Sequence, residues 1–255
     1  MNPVYHPNDT ILILGAVPQE ITVIRAAMSA VRESSLWGIP YWQGALAGKP
    51  VILAITGIGK TYTSMTLTLF LSEFRPRLVL MSGTGARIAP RLRTGDVIVA
   101  RTLFDHDYGS LTQADMVYRP FNSPINGAEV ANHFSPSDAL LALAEQAIAS
   151  YRCPELSAND TTYRVIVRQG VVASADLFGM TGQRIDNLRQ QFATDLVEME
   201  SAPLARVCQT FAVPYLVIRA GSNLAQEAPN DDYLRLGPIA ADQAARFTVH
   251  LAAHV

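Results

Sequence analysis

The sequence predicts an α/β fold: a single domain with a mixed central β-sheet flanked by helices. Three observations predict it. Apolar runs of strand length alternate along the chain with longer stretches of helical spacing. Strands outnumber helices in the first half, which favours a mixed sheet over a purely parallel one. Residues 195–223, DLVEMESAPLARVCQTFAVPYLVIRAGSN, read as strand, helix, strand. That helix carries Leu204, Val207, Cys208 and Phe211 at 3–4 spacing, and the second strand is a near-continuous apolar run. No linker, repeat or low-complexity stretch divides residues 1–255, so one domain is expected.

The elements follow in order. Residues 11–15 (ILILG) are a first buried strand. Pro18 suits the first position of a helix over about 18–33, with Ile21, Ile24 and Ala27 on one face. Glu20 lies in its first turn, where an acid also complements the helix dipole. Residues 41–46 and 51–56 are strands joined by a hairpin-like turn at 47–50 (AGKP). TGIGKT, from Thr56 to Thr61, opens a helix to about residue 74. A P-loop would need a Gly where Ala54 stands inside a strand. The motif therefore reads as a Gly-rich turn that lets a ligand approach the backbone. Residues 78–81 form a strand emptying into a small-residue loop at 82–86 (SGTGA), whose N–H groups can face ligand oxygens. After a turn at Gly95-Asp96 comes a strand at 97–100. Residues 102–135 are long and irregular, as functional or mobile loops are. A helix at 138–151 is capped by Ser135 or Ser137. A strand at 164–173 ends in Ser174 to Phe178, and a helix at 237–254 starts under the constraint of Pro238.

Composition excludes several function classes. With 49% hydrophobic and 16% charged residues the chain is a compact globular protein rather than a disordered one. A net charge of −2 gives no electrostatic case for nucleic acid or an anionic membrane. No apolar run reaches the roughly 18 residues of a membrane span. The start, MNPVYHPNDT, shows no signal-peptide pattern. Cys153 and Cys208 lack metal spacing and read as unpaired thiols of a reducing cytoplasm. His106-Asp107 by itself offers no metal site, and a lone exposed histidine of this kind is expected to be merely polar. No metal or cofactor is expected.

The informative fact is where the polar residues fall. Glu20, Thr84, Phe178, Glu198, Glu200 and Asn223 all follow predicted strand ends, Arg219 and Ser222 stand at the same strand end as Asn223, and the carboxyl ends of strands are where open α/β sheets bind ligands. Carboxylates bind sugar hydroxyls and can act as a base on water. An aromatic gives a base a stacking face, and an amide matches a heterocycle edge. The set suits a nucleoside.

The motifs ILGAVPQE, ITGIGKT, SGTGARIAPRLRTGDVIV, the HD at His106, VEMES and VIRAGSN resemble those of the nucleoside phosphorylase/nucleosidase superfamily. Within it, the chain is most similar to 5′-methylthioadenosine/S-adenosylhomocysteine nucleosidases. The resemblance runs from about residue 11 to residue 223. It implies a single α/β domain, a homodimer or higher homo-oligomer, and a small-molecule nucleoside substrate. By the same resemblance, Glu20 helps activate the hydrolytic water and Glu200 holds the ribose 2′- and 3′-hydroxyls. Met199 packs on the sugar, and Glu198 is the first acid of that motif. Phe178 stacks on the purine, and the Gly179 backbone meets its edge. Thr84 and Gly85 stand near the water or phosphate. Asn223 stands where nucleosidases keep the aspartate that protonates purine N7.

Three departures bear on the chemistry. The loop reads Thr84-Gly85-Ala86-Arg87 where the nucleosidases have Ser-Ala-Gly-Gly. The turn after the first strand, Val-Pro-Gln-Glu, lacks the arginine that phosphorylases place there, which favours water over phosphate, although Arg87 offers a substitute cation. Asn223 can bond N7 and a 6-oxo group but cannot deliver a proton. A nucleoside hydrolase is the leading reading. Phosphorolysis, a non-catalytic nucleoside binder and a triphosphate binder using GIGKT are the alternatives.

Overall fold

The computed structural model describes residues 8–113, 116–158, 161–225 and 230–255. The reading of the first residues as free of a signal peptide thus falls on positions 1–7, outside the described residues.

The chain opens with β1 (Asn8–Gly15), α1 (Pro18–Ala27), β2 (Ser29–Leu36), β3 (Ile39–Leu46), β4 (Lys49–Ile55) and α2 (Lys60–Phe74). The long strands β5 (Pro76–Arg87) and β6 (Val97–Asp105) follow. Residues 102–135 hold the end of β6 and short pairs: β7 (Gly109–Leu111) with β8 (Met116–Tyr118), and β9 (Phe121–Asn122) with β10 (Glu129–Val130). Then come β11 (His133–Phe134), α3 (Asp138–Ser150), β12 (Glu155–Ala158), β13 (Thr161–Arg164), β14 (Val167–Ser174) and α4 (Gly182–Phe192). The last elements are β15 (Leu196–Glu198), α5 (Ser201–Phe211), β16 (Tyr215–Leu224) and α6 (Asn230–Leu251).

Ten strands form one mixed sheet in the order β11-β6-β14-β15-β5-β1-β4-β3-β2, with β16 paired to both β5 and β6. Five of them close a ring: β5, β16, β6, β14 and β15, which pairs back antiparallel to β5. The 2-residue side-chain period of β1 explains the layers. Ile11 and Ile13 pack into a core with α1, α3 and α6, whereas Leu12 and Leu14 pack against α2 and α5.

Four expectations are corrected. The first helix ends at Ala27 instead of near residue 33, and Ser29–Leu36 pairs antiparallel with β3. That segment has no helical stripe to bury. Its side chains stay largely exposed while its backbone gains a ladder at the sheet edge. Residues 82–86 are not a loop. They continue β5, because Gly83 and Gly85 let β16 and β15 pack closely on either side. The last helix starts at Asn230, not 237, and runs through Pro238 to Leu251. Helix α4 was not expected, although Thr181 caps it and Ile185, Leu188 and Phe192 have helical spacing. The 47–50 turn is as read: Ala47 and Gly48 both have positive φ, as a tight hairpin requires.

Candidate active site

A cavity of about 400 Å³ opens at the rim of the strand ring. Every candidate from the sequence lines it: Glu20, Thr84, Gly85, Phe178, Gly179, Glu198, Met199, Glu200 and Asn223. His106, Met180, Ser222 and Tyr233 also line it, and the sequence reading gave them no role there.

Under the floor lies a polar cluster. Glu20 is placed by the start of α1 and is buried. Its Oε2 accepts from the Ala16 N–H at 2.7 Å. Its Oε1 accepts from the Thr84 N–H at 2.8 Å and the Thr84 hydroxyl at 3.1 Å. Glu200 accepts from the Gly59 N–H at 2.9 Å and from Arg219 at 3.2 Å. Glu198 serves the fold. It accepts from the Glu200 N–H at 3.0 Å, from both the N–H and hydroxyl of Ser201, from the Ser174 hydroxyl, and from Arg219 at 2.5 Å. It thus caps α5, and its oxygens are taken up by the protein.

Arg219 is the hub that sequence reading noticed only as a strand-end residue. It is fully buried, paired in register with Gly83, and faces Glu198, Glu200 and, at 4.0 Å, Glu20. Gly83 is obligatory here: a Cβ would sit 2.6 Å from Glu20 Oε1 and collide with the guanidinium. One cation serves three buried carboxylates. Burial pushes Glu200 up to about 8; Arg219 opposes the rise, and Glu198 and Glu20 add to it. Burial works against charge on Arg219, but the three carboxylates outweigh it and raise its pKa.

GIGKT is not a phosphate cradle. The Gly59 N–H is taken by Glu200 and the Lys60 N–H by Asp176 at 2.8 Å. Gly59 has φ +91°, and a Cβ there would lie 2.9 Å from the Asp176 carboxylate. Beyond this turn is an outer cluster. Lys60 bridges Asp105, at 3.2 Å, and Asp107, and Arg206 meets Asp105 at 3.4 Å. Burial, with Asp107 beside it, lifts Asp105 to about 7. Burial would also lift Asp107, but its bonds from Asp105, Lys60 and the Asp176 N–H bring it down to about 2.

The other end of the cavity is apolar with one amide. Phe178 is half exposed, and its ring meets Tyr233 edge-on at 5.7 Å. Asn223 donates from Nδ2 to the Leu224 carbonyl at 2.9 Å, and its Oδ1 accepts from the Ser222 hydroxyl at 2.9 Å. These partners fix the amide orientation and leave one N–H. His106, expected to be an exposed polar residue, is buried on the wall. Burial first, and Arg184 beside it, hold its pKa down to about 3, so its ring is neutral. Arg87 does not reach the cavity. It donates to the Ser222 and Leu92 carbonyls, both at 3.0 Å. Among the described residues, no lysine or arginine lines the cavity and no cluster could hold a metal ion.

Comparison with known proteins agrees with this geometry. A model of the phosphorylase superfamily matches residues 10–253. A 5′-methylthioadenosine/S-adenosylhomocysteine nucleosidase from Tolumonas auensis is 32% identical, over 88% of this chain and 91% of its own. The Neisseria meningitidis nucleosidase, solved with methylthio-immucillin-A, superposes with a TM-score of 0.82 at 25% identity, covering 97% of this chain and 100% of that one. Futalosine hydrolase of Helicobacter pylori superposes with a TM-score of 0.81 at 29% identity, over 97% of this chain and 98% of that one.

Proposed function

The chain belongs to the phosphorylase superfamily, and on that premise we propose that it hydrolyses the N-glycosidic bond of a 5′-modified purine nucleoside. It is a purine nucleosidase. The observation that carries the reading is the convergence of Glu20, Thr84, Glu200, Met199, Phe178 and Asn223 on one cavity, whose described wall residues include no lysine or arginine. Phosphate is commonly held by such a cation, and Arg87 is committed to carbonyls elsewhere.

In this reading Glu20 takes a proton from water as its oxygen bonds to the sugar C1′. The C1′–N bond breaks and its electron pair leaves with the base, through an oxocarbenium-like state. Glu200 holds the vicinal ribose hydroxyls, its carboxylate accepting from both. Phe178 stacks on the purine. The remaining Asn223 N–H meets O6 or N7, which favours a 6-oxopurine over adenine. Asn223→Asp is expected to shift kcat/KM toward adenine nucleosides. Efficient cleavage of methylthioadenosine by the unmodified protein, with none of inosine, would sink the base preference.

Release of free base from a nucleoside panel, with and without phosphate, tests the reaction. Release only with phosphate would replace hydrolysis by phosphorolysis, and binding without release would mean a non-catalytic relative. Two further proposals go with it. Exposed Ile58, Tyr62 and Met65 on and beside α2 support a homodimer, which sedimentation would test. The free thiols Cys153 and Cys208 fit a reducing cytoplasm, and no described helix is long and apolar enough to cross a membrane.

A further inference from the structure

His106 lines the cavity but has no part in the chemistry so far. Its backbone N–H extends the pairing of β6 with β14 by donating to the Ser174 carbonyl at 2.8 Å, which fixes the residue at the strand end. Arg184 holds the ring from the other side. It stands in the first turn of α4, where its N–H donates to the capping Thr181 hydroxyl at 3.4 Å. Its Nη2 donates to His106 Nδ1 at 3.2 Å and also to the His106 carbonyl. Arg184 follows closely on Phe178, Gly179 and Met180 in the chain, so His106 is anchored on the wall that carries those residues.

These bonds fix the tautomer. A guanidinium only donates, so Nδ1 must present its lone pair. The ring is neutral, because burial, with Arg184 beside it, holds its pKa down to about 3. Its one N–H proton is therefore on Nε2. No described residue accepts a hydrogen bond from Nε2, yet the atom is not sealed inside the protein. It opens on the cavity that His106 lines. Buried donors are nearly always paired, and the partner for this one is a ligand atom.

Asn223 gives a departing base one N–H and no proton. We propose that His106 is a second catalytic donor for the leaving group: its Nε2–H bonds an acceptor of the departing purine and shares with Asn223 the charge the base takes on. The proposal rests on the nucleosidase reading above. As the C1′–N bond breaks, its electron pair passes to the base, which leaves as an anion. His106 keeps its proton and stabilises that anion by hydrogen bonding, as a neutral imidazole can at a centre of developing negative charge. The proton that Glu20 took from water reaches the free base through solvent, which balances the hydrolysis. Arg184 acts through the ring: a cation on Nδ1 polarises the imidazole and strengthens Nε2–H as a donor.

Two measurements on the full chain test this. Imidazole nitrogen NMR of histidine-labelled protein reports the tautomer, with the His106 signal identified by its loss in His106→Gln. The Nε2–H tautomer is expected. An Nδ1–H tautomer, or a ring protonated on both nitrogens at neutral pH, would overturn the proposal without touching the nucleosidase reading. Steady-state kinetics on His106→Leu and His106→Gln, with melting curves as a folding control, use the purine nucleoside that the wild type cleaves best. Loss of one hydrogen bond to a developing charge should lower kcat of His106→Leu by roughly 10- to 100-fold, with KM within about three-fold. The Gln amide can set an N–H where Nε2–H stands, so His106→Gln should recover part of the loss. Wild-type kcat in folded His106→Leu, or a loss confined to KM, would overturn the proposal and leave the nucleosidase reading standing. Failure of the unmodified protein to release base from any purine nucleoside would overturn that reading and this proposal with it.

Discussion

The inner and outer clusters both pair carboxylates with cations and lie on either side of the Gly59-Lys60 turn, yet they differ in how their charge is balanced. The inner one sets Glu20, Glu198 and Glu200 around a single arginine. The outer one sets Asp105 and Asp107 against both Lys60 and Arg206. Two cations for two acids make a strap that ties α2 and α5 to the end of β6. One cation for three acids leaves the inner cluster short of positive charge, with Glu200 at the wall of the cavity. Under-compensation marks the cluster that meets a ligand, because a ligand can supply what the protein withholds.

Removing the inner cation should have the largest effect. Arg219→Leu leaves three buried carboxylates unpaired, which costs about 3–5 kcal/mol. The melting temperature should fall by roughly 6–20 °C for a protein of this size. A wild-type melting curve would mean that the acids are not charge-coupled through Arg219.

Glu200→Gln should come next. Losing charge-assisted bonds to two sugar hydroxyls, at about 1.5–3 kcal/mol each, should reduce turnover by roughly 10²-fold or more. Its stability effect has a definite sign. The folded pKa, near 8, lies above the ordinary 4.5, so the folded state binds the proton more tightly. The stability this gives is present at acid pH and is lost as pH rises from about 5 to 8. Glu200→Gln cannot titrate there. The wild type's stability advantage over it should therefore shrink across that window in parallel chemical denaturations. A constant difference would place the titration elsewhere.

Glu20→Ala should lose on the order of 10²-fold in kcat, the usual contribution of a general base, with nucleoside affinity kept. Equal loss of binding and chemistry would make Glu20 a substrate contact. The smallest effect belongs to the outer cluster. Lys60→Met leaves Asp105 on Arg206 and should cost about 1 kcal/mol with little change in turnover. A large loss of activity there would erase the distinction between the clusters.

Much of this was legible in the sequence, for identifiable reasons. Strand ends are punctuated by glycine and polar residues, so Glu20, Thr84, Phe178, Glu200 and Asn223 could be placed on one rim before any coordinates. Arg219 was legible only as a residue at a strand end. Its role as hub depends on crossing Gly83 of a neighbouring strand, and strand neighbours are not written in local periodicity. The continuation of β5 through SGTGA was missed for a related reason. Small residues signal a loop locally, whereas here Gly85 admits the backbone of β15 and Gly83 the Arg219 side chain from β16. His106 looked like a lone surface histidine because nothing nearby in sequence shows α4 bringing Arg184 against it.

The position of β16 also sets a timetable. β5 and β6 are successive strands, but β16 pairs with both and separates them. A chain emerging from the ribosome N-terminus first must hold those two strands apart, with unsatisfied edges, for more than a hundred residues of synthesis. The Gly59–Glu200 bond spans 141 positions in the same way. Contacts this distant in sequence slow folding and come late. The cavity should therefore be among the last features to mature, and nascent chains stalled before β16 should depend on chaperones and lack a nucleoside pocket altogether.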